Sequence, residues 1–188
     1  MTDRSTMTDV QERMVVVLAQ ARDHAAFQQL VRRYERRVLY YIRRMIGETP
    51  DALDVLQDVW LRVFKTLPRL RAPEAFRVCL YRVAHDVTVD HLRRRRRDVP
   101  TVDGEFAAEE AADPWNELEA LERGELVHRL LADLSPEHRE VLTLRFLESL
   151  DVAEIAAVTS TSEGTIKSRL HYARQALRRR LEDADHES

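Results

Sequence analysis

The hydrophobic pattern of the N-terminal half predicts helices. Between about residues 24 and 46, large apolar side chains recur every three or four positions, which places them on one side of an α-helix. They are Phe27, Leu30, Val31, Tyr34, Val38, Tyr41, Ile42 and Met45, and Gly47 is typical of a helix end. A second helix, beginning at Asp51, carries the stripe Leu53, Leu56, Trp60, Val63 and Phe64. With only four glycines and little β-type alternation, the chain is predicted to be all-α.

A third long helix is predicted from about residue 75 to 97, after a loop at 67–74 that Pro68 and Pro73 bracket. Its inward positions are Phe76, Leu80, Val83 and Val87. The other faces are left with Arg77, Tyr81, Arg82, His85, Asp86, Thr88 and His91. Basic side chains interleaved with an aromatic ring suit a nucleic-acid strand, although packing of Tyr81 and solvent exposure of the histidines are equally good interpretations.

Residues 135–180 predict three further helices. Ser135-Pro136 is a helix start, and Asp151 with Glu154 forms a capping-box pattern at the next start. The polar run at 159–162 separates that short helix from a third one, whose inward stripe is Ile166, Leu170, Ala173 and Leu177. Its outer positions are Thr165, Lys167, Ser168, Arg169, His171, Tyr172 and Arg174. Two helices joined in this way are typical of a helix-turn-helix that enters a DNA major groove, the alternative being a solvated basic helix face.

Charge is segregated along the chain although the net charge is only −3. Residues 93–97 are five consecutive arginines, whereas residues 98–122 contain nine acidic residues and no Lys or Arg. Residues 163–181 are basic again, with six Lys or Arg and one Glu. This layout predicts two basic, phosphate-attracting parts joined by an acidic linker that is extended or disordered on its own.

Several functional classes fit poorly. The sequence has no apolar run approaching the ~18 residues of a membrane span and no secretory signal at its start. The single cysteine, Cys79, is consistent with a reducing cytoplasm. No Gly-rich phosphate loop or nucleophile elbow occurs, so no catalytic residue, metal or cofactor is predicted.

Three carboxylates share one face of the second helix. Asp51, Asp54 and Asp58 lie at spacings of three and four, with Gln57 beside them. They are open to interpretation as an acid/base set, a metal site, a favourable charge at a helix start or a docking surface for a basic partner. No His or Cys lies at ligand spacing in this helix, and the docking surface is the interpretation we favour.

Three segments resemble the extracytoplasmic-function sigma factors of the sigma-70 family. They are DALDVLQDVWLRVF at 51–64, FRVCLYRVAHDVTVDHLRRRRR at 76–97 and the helix-turn-helix segment at 134–179. The resemblance implies an N-terminal extension (1–22), sigma region 2 (23–97), the linker (98–119), sigma region 4 (120–182) and a tail (183–188). It also implies a cytoplasmic, non-enzymatic factor that binds core RNA polymerase and promoter DNA and directs promoter-specific initiation.

The resemblance further implies residue roles. Asp51, Asp54, Gln57 and Asp58 match the surface that docks on the clamp coiled coil of the large polymerase subunit. The loop at 67–74 and the adjoining helix match the part that captures the unpaired strand of the minus-ten element, and the arginine run adds phosphate contacts. This minus-ten set is Arg77, Tyr81, Arg82, His85, Asp86, Arg93 and Arg94. The positions that face the minus-thirty-five element are Arg145, Thr165, Lys167, Ser168, Arg169, His171 and Arg174.

Two departures from the family pattern stand out. His85-Asp86 replaces the usual Arg-Asn, and a carboxylate only accepts hydrogen bonds and repels phosphate. Thr159-Ser160-Thr161 replaces Leu-Gly-Ile, so a left-handed turn position carries a Cβ at a cost of about 1 kcal/mol.

The alternatives to a sigma factor are a stand-alone dimeric helix-turn-helix repressor and a metal enzyme built on the carboxylate face. Whether an anti-sigma protein holds the chain inactive is left open.

Overall fold

The computed structural model describes residues 9–47, 49–98, 131 and 133–186, and every element within them is a helix or a helical turn. The N-terminal half contains α1 (Asp9–Gln20), α2 (His24–Ile46), α3 (Asp51–Thr66) and α4 (Phe76–Asp98). The C-terminal half contains α5 (Pro136–Leu142), α6 (Val152–Thr159) and α7 (Glu163–His186). Short 3₁₀ turns at Leu67–Arg69 and Pro73–Ala75 join α3 to α4, and a π turn at Thr143–Leu147 extends α5. The predicted all-α fold class is confirmed.

Helix ends in the N-terminal half follow the local chemistry of the sequence. Asp23 caps α2 by accepting a hydrogen bond from the Ala26 amide at 2.9 Å. Gly47 ends the same helix at φ +85°, a conformation that a residue with a Cβ rarely adopts. The predicted N-terminal extension contains a helix, since α1 begins at Asp9 and packs Val16 and Ala19 into the core.

The core of the N-terminal half is formed by the predicted stripes of α2, α3 and α4. Leu30, Val38, Val59 and Leu80 are completely buried, and Phe27 packs edge-on against Trp60. The prediction that Leu53 joins this core is wrong, since its side chain is 57% exposed. Leu53 lies on the outer face of α3 in line with Gln57, while Leu56 and Trp60 point inward.

The C-terminal half confirms the helix-turn-helix. Asp151 and Glu154 form a complete capping box, with both side chain to backbone hydrogen bonds at 2.8 Å. Ile155, Val158, Ile166, Leu170 and Ala173 are buried, and Leu177 is half-buried. The predicted linker, apart from residue 98, and the first part of the predicted region 4, at 120–130, lie outside the described residues.

The two halves pack directly against each other, α6 on α4 and α5 on α2, and their buried apolar residues form one continuous core. We call this packing the closed arrangement. It determines which faces of α4 remain accessible.

Candidate nucleic-acid and partner interfaces

The outer face of α3 brings together the predicted docking residues. Asp54, Gln57 and Asp58 are all exposed on this face. Asp51 differs from them, because it is half-buried and turns toward α4, where its Oδ2 lies 3.5 Å from His91 Nε2. Three of the four predicted residues therefore form one accessible acidic and amide surface.

An apolar groove, which the sequence interpretation missed, lies beside this acidic surface. Leu53 and Leu61 are 57% and 51% exposed on either side of Gln57. The groove between α2 and α3 is also lined by Phe27, Val31, Glu35, Leu56, Trp60 and Phe64. The spacing of Leu53, Gln57 and Leu61 at i, i+4 and i+8 is the sequence signal that places all three on one face. An acidic rim beside an apolar groove is a surface on which a partner helix packs.

The predicted minus-ten residues of α4 fall into an exposed group and a covered group. Arg82, Asp86, Arg93 and Arg94 are exposed, and Arg77 is half-buried. Tyr81 is completely buried, and the His85 side chain is only 17% exposed. Tyr81 packs edge-on against Tyr41 of α2, with ring centroids 5.7 Å apart.

Glu140 of α5 makes a buried contact that holds the C-terminal half against α2 and α4. Its side chain is 4% exposed and accepts a hydrogen bond from the Tyr41 hydroxyl at 2.6 Å, while His85 Nδ1 lies 2.7 Å from the same oxygen. Burial by itself lowers the pKa of His85, but the hydrogen bond and the charge of Glu140, assisted by Asp86, give a net increase. The buried carboxylate is thus paired with groups from α2 and α4 of the other half.

Glu148, which follows the π turn, makes the second such contact. It is 2% exposed, and its Oε2 lies 3.1 Å from Arg37 Nη2 of α2. Burial raises the pKa of Glu148, although Tyr81 and Arg37 offset part of that increase. Burial, followed by the negative charge of Glu148, also holds the pKa of Tyr81 well above its usual value.

Backbone contacts reinforce the closed arrangement. Arg37 Nη2 donates to the Leu147 carbonyl at 2.8 Å, and Arg139 Nη1 donates to the Arg44 carbonyl at 2.7 Å. Arg139 also donates to the carbonyls of Leu131 and Leu134, so it connects the start of α5 to the end of α2. These contacts could not be predicted from the sequence, because each arginine resembles an ordinary surface charge on its own helix.

The second helix of the helix-turn-helix keeps its outer face accessible in the closed arrangement. Thr165, Lys167, Ser168, His171 and Arg174 are exposed, and Arg169 is half-buried. Ser162 caps this helix, because its hydroxyl accepts from the Thr165 amide at 3.2 Å. The guanidinium of Arg174 lies 5.4 Å from the ring centroid of Phe146, on the side of α7 that faces α5. The outer face of α7, which is the face predicted to meet a DNA major groove, therefore carries short hydroxyls, a lysine and a histidine.

Arg145 differs from the other predicted minus-thirty-five residues. It is half-buried, and its Nη1 donates to the Leu150 carbonyl at 2.9 Å. This hydrogen bond braces the turn between α5 and α6. Arg145 thus supports the turn of the helix-turn-helix while the residue as a whole stays partly accessible.

Neither a membrane-spanning helix nor a metal-binding cluster is found within the described residues. Within them no helix is long and apolar enough to cross a membrane. In the same part of the chain, no three His, Cys, Asp or Glu side chains come together in a way that holds a metal ion. Asp51, Asp54 and Asp58 accordingly form a stripe and do not converge on a point.

The fold and these surfaces define a two-part helical DNA-binding protein. Residues 30–98 match the model for sigma-70 region 2, and residues 124–177 match that for sigma-70 region 4. The RNA polymerase sigma-H factor of Pseudomonas aeruginosa is 32% identical over 188 residues, covering 94% of this chain and 96% of the relative. The ECF RNA polymerase sigma-E factor of Escherichia coli K12 is 30% identical over 178 residues, covering 88% and 92%. The chain belongs to the extracytoplasmic-function (ECF) sigma factors of the sigma-70 family.

Solved structures agree with this membership. CnrH, solved in complex with the cytosolic domain of CnrY, is 26% identical with a TM-score of 0.64, and the match covers 93% of this chain and 98% of that one. The sigma factor RpoE of Bartonella quintana, solved with the anti-sigma factor NepR, has the same fold at 22% identity and a TM-score of 0.70, covering 83% and 96%. The protein is an alternative sigma factor, and the comparisons support this interpretation over a stand-alone dimeric repressor.

Proposed function

We propose that this sigma factor docks on core RNA polymerase through the outer face of α3. The observation that carries the proposal is the exposed row Asp54, Gln57 and Asp58 lying beside the apolar groove that Leu53 and Leu61 border. A partner helix with basic and apolar side chains fits such a surface, since it pairs with the carboxylates and fills the groove. Asp51 contributes charge from the first turn of the helix.

The minus-ten contact is assigned to the loop at 67–74 and to α4. Arg82, Arg93 and Arg94 are exposed and available to phosphates, with Arg77 and Asp86 on the same helix. Tyr81 offers a ring for stacking and His85 a hydrogen-bonding group, but both are covered in the closed arrangement. Engagement of the unpaired strand through these two residues therefore requires α5 and α6 to move away from α2 and α4.

The minus-thirty-five contact is assigned to the outer face of α7. Thr165, Lys167, Ser168, Arg169 and His171 present hydroxyl, cationic and imidazole groups to the major groove, and Arg174 and Arg145 flank them. This face is accessible without domain movement. Polymerase binding in the cytoplasm then holds the two DNA-contacting halves at the distance that separates the two promoter elements.

An anti-sigma protein is a further proposed partner, because the similar chain CnrH was solved with a protein partner and RpoE of Bartonella quintana with the anti-sigma factor NepR. No catalysis by the chain enters the proposal. Melting relies on unpaired bases held by stacking and backbone contacts, which offset the few kcal/mol of unpairing.

Run-off transcription tests the proposal directly. Purified full-length protein, added to core RNA polymerase with a genomic-fragment library, is expected to stimulate transcription from a limited set of promoters. The double variant Asp54→Arg/Asp58→Arg is expected to bind core polymerase at least tenfold more weakly, because like charges then face the partner. Glu137→Arg, at an exposed acidic position on α5, serves as the control. Absence of stimulation on every fragment, with a protein that is folded, would overturn the proposed function.

A further inference from the structure

The C-terminal end of α1 contacts the loop between α3 and α4. Gln20, the last residue of α1, is half-buried, and its Nε2 donates to the Leu70 carbonyl at 2.6 Å and to the Leu67 carbonyl at 3.3 Å. These partners lie 50 and 47 residues further along the chain. One amide group therefore ties the N-terminal helix to the first half of the loop.

The next residues extend this attachment to the end of α3. Arg22 adopts a left-handed conformation at φ 70°, and its Nη1 donates to the Phe64 carbonyl at 3.3 Å. Its guanidinium also lies 4.8 Å from the centroid of the Phe64 ring. The turn between α1 and α2 thus crosses the site where α3 ends and the loop begins.

The backbone of the loop is held by few hydrogen bonds within the loop itself. Its two 3₁₀ turns are closed by local hydrogen bonds from Leu70 to Leu67 at 3.0 Å and from Ala75 to Ala72 at 2.9 Å. Pro68 and Pro73 have no amide hydrogen to donate. The two carbonyls that Gln20 binds lie at the start and the end of the first turn, so Gln20 fixes the orientation of that turn against α1.

We propose that Gln20 is a positioning residue for minus-ten recognition. It does not contact DNA, but it holds the first turn of the loop in the conformation that determines which unpaired base the loop accepts. This inference rests on the proposed function, in which the loop meets the unpaired strand. It gives α1 a role in promoter selectivity as well as in packing.

Gln20→Met tests the proposal because methionine keeps the length and much of the volume of the side chain and removes the donor. Base preference is measured by run-off transcription with core polymerase on a promoter library randomised in the minus-ten element. We expect discrimination at one or two minus-ten positions to fall roughly three- to tenfold, the effect of losing one hydrogen-bonded constraint. Dependence on the minus-thirty-five element and affinity for core polymerase are expected to stay unchanged.

Two further variants distinguish a loss of loop positioning from a general loss of protein stability. Gln20→Lys retains a donor long enough to reach the carbonyls and is expected to restore most of the discrimination. Gln28→Met, at an exposed position on α2, is expected to leave it unchanged. An unaltered minus-ten profile in Gln20→Met, or an equal loss on every promoter that follows a lower thermal stability, overturns the proposal. A wild-type protein that stimulates no promoter instead overturns the proposed function, and the Gln20 proposal with it.

Discussion

Glu140 and Glu148 connect the two halves of the protein through their carboxylates. Each is almost completely buried, and each is paired with side chains from the opposite half: Glu140 with Tyr41 and His85, Glu148 with Arg37. Burying a carboxylate is unfavourable unless hydrogen bonds and opposite charge compensate it, so each acid needs its partners. Separation of the halves leaves these carboxylates in water, where they need no protein partner.

Asp86 is the residue at which α4 departs most clearly from its family pattern. Its side chain is exposed on the face assigned to the unpaired strand. We predict that Asp86→Asn strengthens binding of the polymerase holoenzyme to a fork-junction DNA by roughly two- to fivefold, the effect of removing one exposed repulsion worth ~0.5–1 kcal/mol. Fluorescence anisotropy at low salt measures this directly.

Salt dependence and a matched variant make this prediction specific. The gain is expected to shrink at high salt, where exposed charges are screened. Asp9→Asn, which removes an exposed carboxylate from α1, is expected to leave the affinity unchanged. Equal or weaker binding by Asp86→Asn would show that Asp86 does not face phosphate.

At the scale of elements, the turn of the helix-turn-helix departs from its usual chemistry. Ser160 adopts the left-handed conformation at φ 52° and ψ 39°, and its amide donates to the Ala156 carbonyl. The absence of glycine therefore leaves the geometry of the turn intact. It is maintained at the energetic cost of a Cβ in the left-handed region.

We predict that Ser160→Gly stabilises the C-terminal half by about 1 kcal/mol, because glycine adopts this conformation without steric cost. The free energy of unfolding from urea titration measures the effect. Ser162→Gly provides the comparison: Ser162 caps α7 through the Thr165 amide, and its replacement by glycine is expected to cost a few tenths of a kcal/mol. Destabilisation by Ser160→Gly would show that the serine side chain compensates for its backbone.

Local sequence signals predicted most of the helices and their ends. Gly47, Ser135 and the Asp151–Glu154 box act where the pattern indicated. Local periodicity failed for Leu53, and it left open whether Tyr81 packs inside or faces outward, since it does not reveal which of two apolar faces a neighbouring element covers. Tyr81 is buried between Tyr41 of α2 and Glu148 of the C-terminal half.

At the scale of the whole molecule, that packing could not be predicted from the sequence. Arg37, Glu140 and Glu148 resemble the solvated charges of any amphipathic helix. Their pairing depends on tertiary contacts between residues about a hundred positions apart, as between Tyr41 and Glu140. The predicted docking and minus-thirty-five residues lie largely exposed, whereas part of the minus-ten set is covered, and only the three-dimensional arrangement distinguishes them.

The closed arrangement is predicted to weaken as pH rises. The pKa of His85, which faces Glu140, Tyr41, Asp86 and Arg93, is raised above 6.5. The pKa of Glu148, which faces Tyr81, Arg37 and Arg77, is raised above 4.5. A raised pKa means that the closed form binds protons more tightly, so its stabilisation is fully present below the ordinary pKa and is lost as pH passes the raised one.

The distance between the two halves measures how much of the protein is in the closed arrangement. Because Cys79 is the one cysteine, Cys79→Ser with Gln29→Cys and Arg178→Cys at exposed positions accepts a fluorophore pair. Energy transfer in the free protein is expected to be higher at pH 6 than at pH 8. Glu140→Gln, which removes the charge beside His85, is expected to flatten that difference; an identical pH profile would rule out His85 as the titrating group.

The same labelled protein shows whether this sigma factor covers part of its minus-ten surface until polymerase separates its halves. Energy transfer is measured for the free protein and then after core RNA polymerase and promoter DNA are added, under conditions that give run-off product. We predict high transfer in the free protein and a large decrease in the transcribing complex. Unchanged transfer in a complex that makes product would contradict the claim.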